Sequence, residues 1–125
     1  MKHSHAIVWM DSKEARIFSF NADDVQSEHI KAHAPHRQVH RHSKTADTAY
    51  FHDIAEAVSG TREWLLVGPA GAKTELVHYL EKHAPAARKA IVGIEAMDHP
   101  TDGELLAHAR RAFKAIDRMQ SNTPG

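Results

Sequence analysis

The sequence contains no cysteine, which excludes disulfides, thiol catalysis and zinc sites built on cysteine. It also lacks a long apolar run. The longest one near the amino terminus, Ala6–Met10, is far too short for a membrane span or a signal-peptide core. We therefore expect a cytoplasmic protein with no membrane partner. An excess of one charge is absent too, because 16 basic residues balance 16 acidic ones. The composition thus gives no global basic field of the kind that marks a nucleic-acid binder.

Histidine is the residue that the sequence has in excess, with 12 in 125 positions. At an unperturbed pKa of about 6.5, twelve histidines add roughly three positive charges at pH 7 and about nine at pH 6. The neutral balance therefore holds only near neutral pH. Mild acidification is expected to make the protein distinctly cationic.

The first part of the chain predicts three strands. Compact apolar patterns cover residues 6–10 and 15–20, and a more polar strand follows over 25–32. Turn-forming residues separate them at 11–14 and 21–24. These strands are expected to form an antiparallel meander, with the polar third strand at an edge of the sheet.

The rest of the chain alternates between helix and strand periodicity. The predicted elements are a helix over 45–59, a strand over 63–67, a helix over 73–83, a strand over 89–96, and a helix capped by Thr101 or Asp102 that runs to about Met119. Residues 121–125 are expected to be a frayed tail. Five aromatic residues have core patterns: Trp9, Phe18, Phe20, Trp64 and Phe113. The order predicts an α/β domain with a mixed five-stranded sheet and helices on its faces.

Residues 33–44 have almost nothing to bury and are predicted to form an exposed loop rich in His and Arg. No acidic residue occurs from 31 to 46. The RNA-binding candidates in this loop are His33, His36, Arg37, His40, Arg41, His42 and Lys44, since arginine and lysine meet phosphates and imidazole rings stack on unpaired bases. The four histidines are also candidate ligands for a transition metal. A solvated loop without a specific role is the third interpretation.

Two turns carry residues that are candidates for ligand binding or catalysis. In Gly68–Thr74 a strand leads through glycines into a helix near Lys73, which can bind phosphate or can simply allow close packing. Its spacing does not fit a nucleotide-binding phosphate loop. Asp98 and His99 follow a strand's carboxyl end and are either an acid–base pair or part of a helix-capping turn.

Four segments carry a resemblance to known proteins: Ala6–Asp11, Glu14–Phe18, Gly68–Leu76 and Ile91–Gly103. They resemble a bacterial family of short proteins named translational machinery proteins. The order of meander, loop and helix followed by the segment Leu65–Leu76 resembles, more distantly, the middle domain of archaeal and eukaryotic peptide-chain release factors and of Pelota. The resemblance implies a single domain over residues 1–120 with a ribonuclease-H-like fold.

The sequence departs from release factors at their functional motif. Those proteins carry Gly-Gly-Gln in the loop after the meander, where it helps water cleave peptidyl-tRNA. This chain has no Gly-Gly-Gln, and the loop 33–44 stands in its place. We therefore expect no release activity by that mechanism and assign no catalytic residue. Nuclease chemistry is not expected either: Asp11 and Asp53 or Glu56 are candidate metal-binding carboxylates, but no acid follows the fourth strand.

Three functional hypotheses follow. The first is a non-enzymatic RNA- or ribosome-binding protein of translation that uses the loop 33–44, with Lys73 as a further phosphate contact. The second is a metal-binding or metal-dependent hydrolytic protein that uses His33, His36, His40 and His42. The third is a protein interaction module that pairs through the edge strand 25–32. No cofactor is predicted, apart from the divalent transition metal of the second hypothesis.

Overall fold

The computed structural model describes residues 4–32, 48–69 and 71–121. These residues form five strands and four helices. In chain order they are β1 (His5–Met10), β2 (Glu14–Phe20), β3 (Val25–Lys31), α1 (Thr48–Val58), β4 (Glu63–Gly68), α2 (Ala72–His83), α3 (Pro85–Lys89), β5 (Ile91–Ala96) and α4 (Asp102–Ser121). No helix in the described ranges has the length and apolar character needed to cross a bilayer.

The strands form one mixed sheet in the order β3-β2-β1-β4-β5. β2 pairs antiparallel with both β1 and β3, which is the predicted meander. β4 pairs parallel with β1 and with β5, so the second half of the chain extends the sheet from the free side of β1. The predicted α/β fold with a mixed five-stranded sheet is confirmed.

The two central strands bury both of their faces. Val8 and Leu66 point to the face covered by α1 and α2, where they pack with residues such as Ile54. Their neighbours Ile7 and Leu65 point to the other face, which α4 covers. Period-two alternation therefore supplies two apolar layers, as expected for strands between helices. The five aromatic residues predicted for the core are all buried.

The two edge strands differ in character. In β3 six of the seven residues are exposed, which confirms the predicted polar edge. β5 forms the opposite edge and leaves Val92 and Ile94 exposed by 37% and 46%. The sheet therefore has one polar edge and one partly apolar edge.

The predicted bounds of the strands and helices differ from the structure at two places. The strand expected from Lys89 begins at Ile91, because α3 occupies Pro85–Lys89. The preceding helix does end before Pro85, at His83, but proline also suits the first turn of a new helix, where its missing N–H needs no partner, and α3 was not predicted. α4 continues to Ser121, the first residue of the predicted tail, since no glycine or proline stops it earlier.

Candidate functional site

The carboxyl ends of the three parallel strands β1, β4 and β5 meet at one side of the sheet, which we name the carboxyl edge. β3 also ends there, and the backbone N–H of Ala32 donates to the carbonyl oxygen of Lys13 at 2.8 Å. α1 starts at the same edge, where the Tyr50 hydroxyl donates to the carbonyl oxygen of Asp11 at 2.9 Å. The chain therefore leaves the sheet and returns to it at the carboxyl edge, and the stretch with the predicted His/Arg-rich loop connects these two points.

Most of the predicted RNA-binding residues lie outside the described part of the chain. They are His33, His36, Arg37, His40, Arg41, His42 and Lys44. The four metal-ligand candidates belong to the same group. Within residues 4–32, 48–69 and 71–121, no group of three or more His, Asp or Glu side chains is arranged to hold a metal ion.

The turn between β4 and α2 is built on glycine and on a buried lysine. Gly68 has φ +142°, and a Cβ there would overlap the carbonyl oxygen of Met10, so the close approach of β1 and β4 requires glycine. Lys73 is only 8% exposed, and its Nζ donates to the carbonyl oxygens of Gly68 at 2.6 Å and Pro69 at 2.8 Å.

The environment of Lys73 explains why this lysine is tolerated in the core. Burial lowers the pKa of Lys73 below its ordinary value, because a low-dielectric site disfavours the ammonium form. The two carbonyl contacts compensate part of that cost. The amine thus fastens the turn, and the phosphate contact assigned to Lys73 from the sequence stays a prediction.

His99 faces Asp11 across the carboxyl edge. Its Nε2 lies 3.7 Å from Oδ2 of Asp11, and its ring centroid lies 4.7 Å from that of Trp9. Asp98, its neighbour in sequence, contributes its carbonyl oxygen, which accepts from the Trp9 Nε1–H at 2.6 Å. The carboxylate available to His99 thus comes from the end of β1. Since 64% of the His99 side chain is exposed, the pair is open to solvent.

The loop before α4 is held by a capping box. The Glu104 backbone N–H donates to Oγ1 of Thr101 at 3.1 Å, and the Thr101 N–H donates to Oε1 of Glu104 at 2.9 Å. Thr101 is therefore the cap, which leaves Asp102 for another partner. Arg16 on β2 donates to Oδ1 of Asp102 at 2.7 Å and to the carbonyl oxygen of Pro100 at 2.9 Å. These contacts support the capping interpretation of this segment.

The carboxylates considered for nuclease chemistry are divided between two places. Asp11 lies at the carboxyl edge, and its Oδ1 accepts the backbone N–H groups of Lys13 and Glu14 at 2.8 and 2.9 Å. Asp53 and Glu56 line a separate groove between α1 and β3. Asp11 and the pair Asp53 and Glu56 therefore line different grooves of the described structure.

One set of candidate residues was not predicted from the sequence. Arg110, Arg111 and Lys114 are exposed on α4, beside the first residue of β1. The signal was available, because residues 105–116 contain these three cations and no acidic residue. The spacing of apolar residues in α4 indicated which face is buried. Which residues lie beside the exposed cations depends on how α4 packs against the sheet.

The fold is shared with solved structures of two kinds of protein. Pelota from Archaeoglobus fulgidus aligns with a TM-score of 0.63 over 89% of this chain at 10% identity. The archaeal translation termination factor aRF1 aligns with a TM-score of 0.62 over 93% at 15% identity. Pelota from Thermoplasma acidophilum aligns with a TM-score of 0.58 over 82% at 18% identity. This chain spans 32%, 39% and 30% of those three chains, respectively.

No protein-family model and no curated protein matches the sequence. At 10–18% identity the structural matches establish the fold and not the activity. The predicted resemblance to the fold of release factors and Pelota is confirmed: this chain has the fold of their middle domain.

Proposed function

We propose that this protein is a non-enzymatic RNA- or ribosome-binding protein associated with translation, and that it acts in the cytoplasm. The observation that carries the proposal is the fold shared with Pelota and with an archaeal termination factor over about nine-tenths of the chain. Membership of the bacterial translational machinery family is part of the same proposal and rests on the sequence resemblance.

The described residues on either side of the basic segment 33–44 support this function. Ala32 and Tyr50, on either side of it, are both tied to the carboxyl edge by hydrogen bonds. The segment follows the meander, where the resemblance places the Gly-Gly-Gln motif of release factors. In the proposal, Arg37, Arg41 and Lys44 bind phosphates and the four histidines between 33 and 42 stack on unpaired bases. RNA binding then replaces peptidyl-tRNA hydrolysis as the role of this segment.

Sedimentation with purified ribosomes through sucrose gradients tests the proposal. The untagged protein is compared at pH 6 and pH 7.5 and at two salt concentrations. We expect co-sedimentation that weakens with salt and strengthens at pH 6, because the histidines add positive charge as they protonate. Failure to co-sediment under all four conditions would leave the similarity as one of fold alone.

A charge-matched pair of variants assigns the contact to the segment. Replacing Arg37, Arg41 and Lys44 with alanine is expected to reduce the slope of log K against log salt by about two to three, at 0.7–0.9 per phosphate contact. The control removes three charges elsewhere, at Arg62, Lys82 and Lys89, which are exposed. An equal loss in both variants would show a net-charge effect and would remove the segment from the proposal.

The exposed edge strand β3 supports a second candidate function, a protein interaction module. Unpaired backbone groups at such an edge can receive a strand from a partner. A partner bound in this way would slow amide hydrogen exchange in residues 25–31. Unchanged exchange in a complex isolated with this protein would exclude β3 as the contact.

The metal hypothesis also stays a prediction, because its ligands His33, His36, His40 and His42 lie outside the described residues. It requires one stoichiometric site at pH 7 that survives a weak competing chelator. Titration with zinc, copper and nickel by calorimetry measures this. Loose binding of several ions would contradict a physiological site.

A further inference from the structure

A cleft lies at the side of the sheet opposite the carboxyl edge, between α4 and the start of β1. We name it the α4 cleft; its lining residues are His5, Phe20, Asn21, Ala22, Arg110, Arg111, Phe113 and Lys114. Its volume is about 480 Å³, within the range of sites that hold a nucleotide-sized group. The cleft is therefore separate from the edge to which the segment 33–44 is attached.

The wall of the α4 cleft is aromatic. The His5 ring lies 4.2 Å from Phe113 and 5.9 Å from Phe20, centroid to centroid. Phe20 and Phe113 are buried, whereas the His5 side chain keeps part of its surface in the opening. Packing on two phenylalanine rings fixes the imidazole plane, so the cleft offers a preformed flat surface.

The rim of the cleft is positively charged. Arg110, Arg111 and Lys114 are exposed and lie within about one turn of α4. The Arg110 guanidinium is held 5.0 Å from the centroid of the Phe20 ring, which orients it over the opening. The ion pairs recorded between described side chains include none of these three residues, and no acidic residue is among those that line the cleft. By contrast, Arg16 and Arg88 do have acidic partners.

Acidic residues lie near the α4 cleft but are not among the residues that line it. Glu63 is the acid beside His5, with Oε1 at 3.5 Å from Nε2. Asp23 and Asp24 follow in the turn after β2 and do not line the cleft. Three cations in one helical turn therefore form a local positive surface on a chain whose formal net charge is zero.

We propose that the α4 cleft binds single-stranded RNA, with phosphates on Arg110, Arg111 and Lys114 and an unpaired base against His5. A nucleotide presents both complementary groups, an anionic phosphate and a flat base. Arginine forks match phosphate oxygens, and histidine is among the side chains on which bases stack. This inference rests on the proposed function and adds a second RNA contact, on the side of the sheet opposite the carboxyl edge.

Binding of a labelled oligouridylate RNA by fluorescence anisotropy, over a series of salt concentrations, tests the inference. The test variant R111A/K114A leaves Arg110 on Phe20 and places alanine, a strong helix former, at two exposed helical positions. The matched control K82A/K89A removes two exposed lysines from α2 and α3, which pack on the other face. Circular dichroism melts establish that both variants are folded.

Losing two single-strand phosphate contacts should reduce the slope of log K against log salt by about 1.4. If wild type and variant bind equally at 1 M salt, the variant should then bind roughly 25-fold more weakly than the wild type at 0.1 M. The control should keep the wild-type slope. Equal behaviour of the two variants, whether both bind normally or both bind weakly, would overturn the inference.

Ribosome sedimentation of the same proteins separates this inference from the proposed function. The α4 cleft is not an RNA site, and the proposed function stands, if the wild type co-sediments and one of two results is found. Either the wild type does not bind the RNA, or the wild type and R111A/K114A bind it equally. If the wild type neither co-sediments nor binds the RNA, both are refuted. RNA binding without co-sedimentation, lost in R111A/K114A, would support the cleft and contradict a ribosomal role.

Discussion

Replacing Lys73 with methionine removes the amine that fastens the turn between β4 and α2. Methionine keeps most of the apolar stem, so the change isolates the two hydrogen bonds to the carbonyl oxygens of Gly68 and Pro69. A hydrogen bond to a charged group contributes about 1.5–3 kcal/mol. Because the buried ammonium also carries a desolvation cost, we expect a net loss of about 2–3 kcal/mol in the free energy of unfolding.

Urea and thermal denaturation measure this loss. At about 4 °C per kcal/mol for a domain of this size, the melting temperature of K73M should fall by roughly 8–12 °C. The control is K82M, the same substitution at an exposed position of the same helix, which should change stability by less than about 0.5 kcal/mol. Equal stability of K73M and K82M would refute the role of the amine in the turn.

The pH dependence gives a second test of the same side chain. Burial lowers the pKa of Lys73 from its ordinary value of 10.5. The unfolded chain therefore keeps this proton to higher pH than the folded chain does, so the wild type gains stability as pH rises from the folded pKa to about 10.5. K73M lacks this gain. We expect the stability difference between the wild type and K73M to widen in this alkaline window, and a difference that narrows would contradict the assigned environment.

Two further predictions concern the turn and the cap. G68A should prevent stable folding, because the new Cβ overlaps the carbonyl oxygen of Met10 and the φ of Gly68 is positive. G71A has open space around its new Cβ, so it should lose only the backbone strain of about 1–3 kcal/mol in the free energy of unfolding. Urea denaturation compares the two variants. T101A should lose about 0.5–2 kcal/mol, because it removes the acceptor of the Glu104 N–H, and T101S should restore most of the loss. A T101S protein no more stable than T101A would show that the hydroxyl does not act as the cap.

The sequence patterns predicted the fold well because they are local. The continuous apolar run 6–10 indicates a buried strand, and the spacing of Leu105, Ala109 and Phe113 indicates the apolar side of a helix; the structure buries both. Thr101 and Glu104 form a cap from residues three apart, so both could be found in the sequence. The short helix α3 was missed because proline, which cannot continue a helix, also suits the first turn of the next one.

The candidate site was only partly predictable. The sequence indicated that His99 follows a strand end, but the carboxylate facing it, Asp11, lies 88 residues earlier in the chain. Lys73 was predicted as a candidate phosphate contact, and its carbonyl partners depend on how the turn folds back over its own helix. Arg16 had no role in the sequence-based hypotheses, yet it holds the loop before α4.

By itself the sequence determined the elements other than α3, their buried faces and the mixed sheet, because helix and strand periods are set by neighbours a few residues apart. It also determined the uneven distribution of basic residues, including the stretch 105–116 without an acid. Only the tertiary structure decided which distant groups meet. The strand order β2-β1-β4-β5 brings Asp11 to His99 at one edge, and the packing of α4 on the sheet places Arg110 beside Phe20 and His5 at the other. Those contacts follow from strand order and helix packing, which no local pattern encodes.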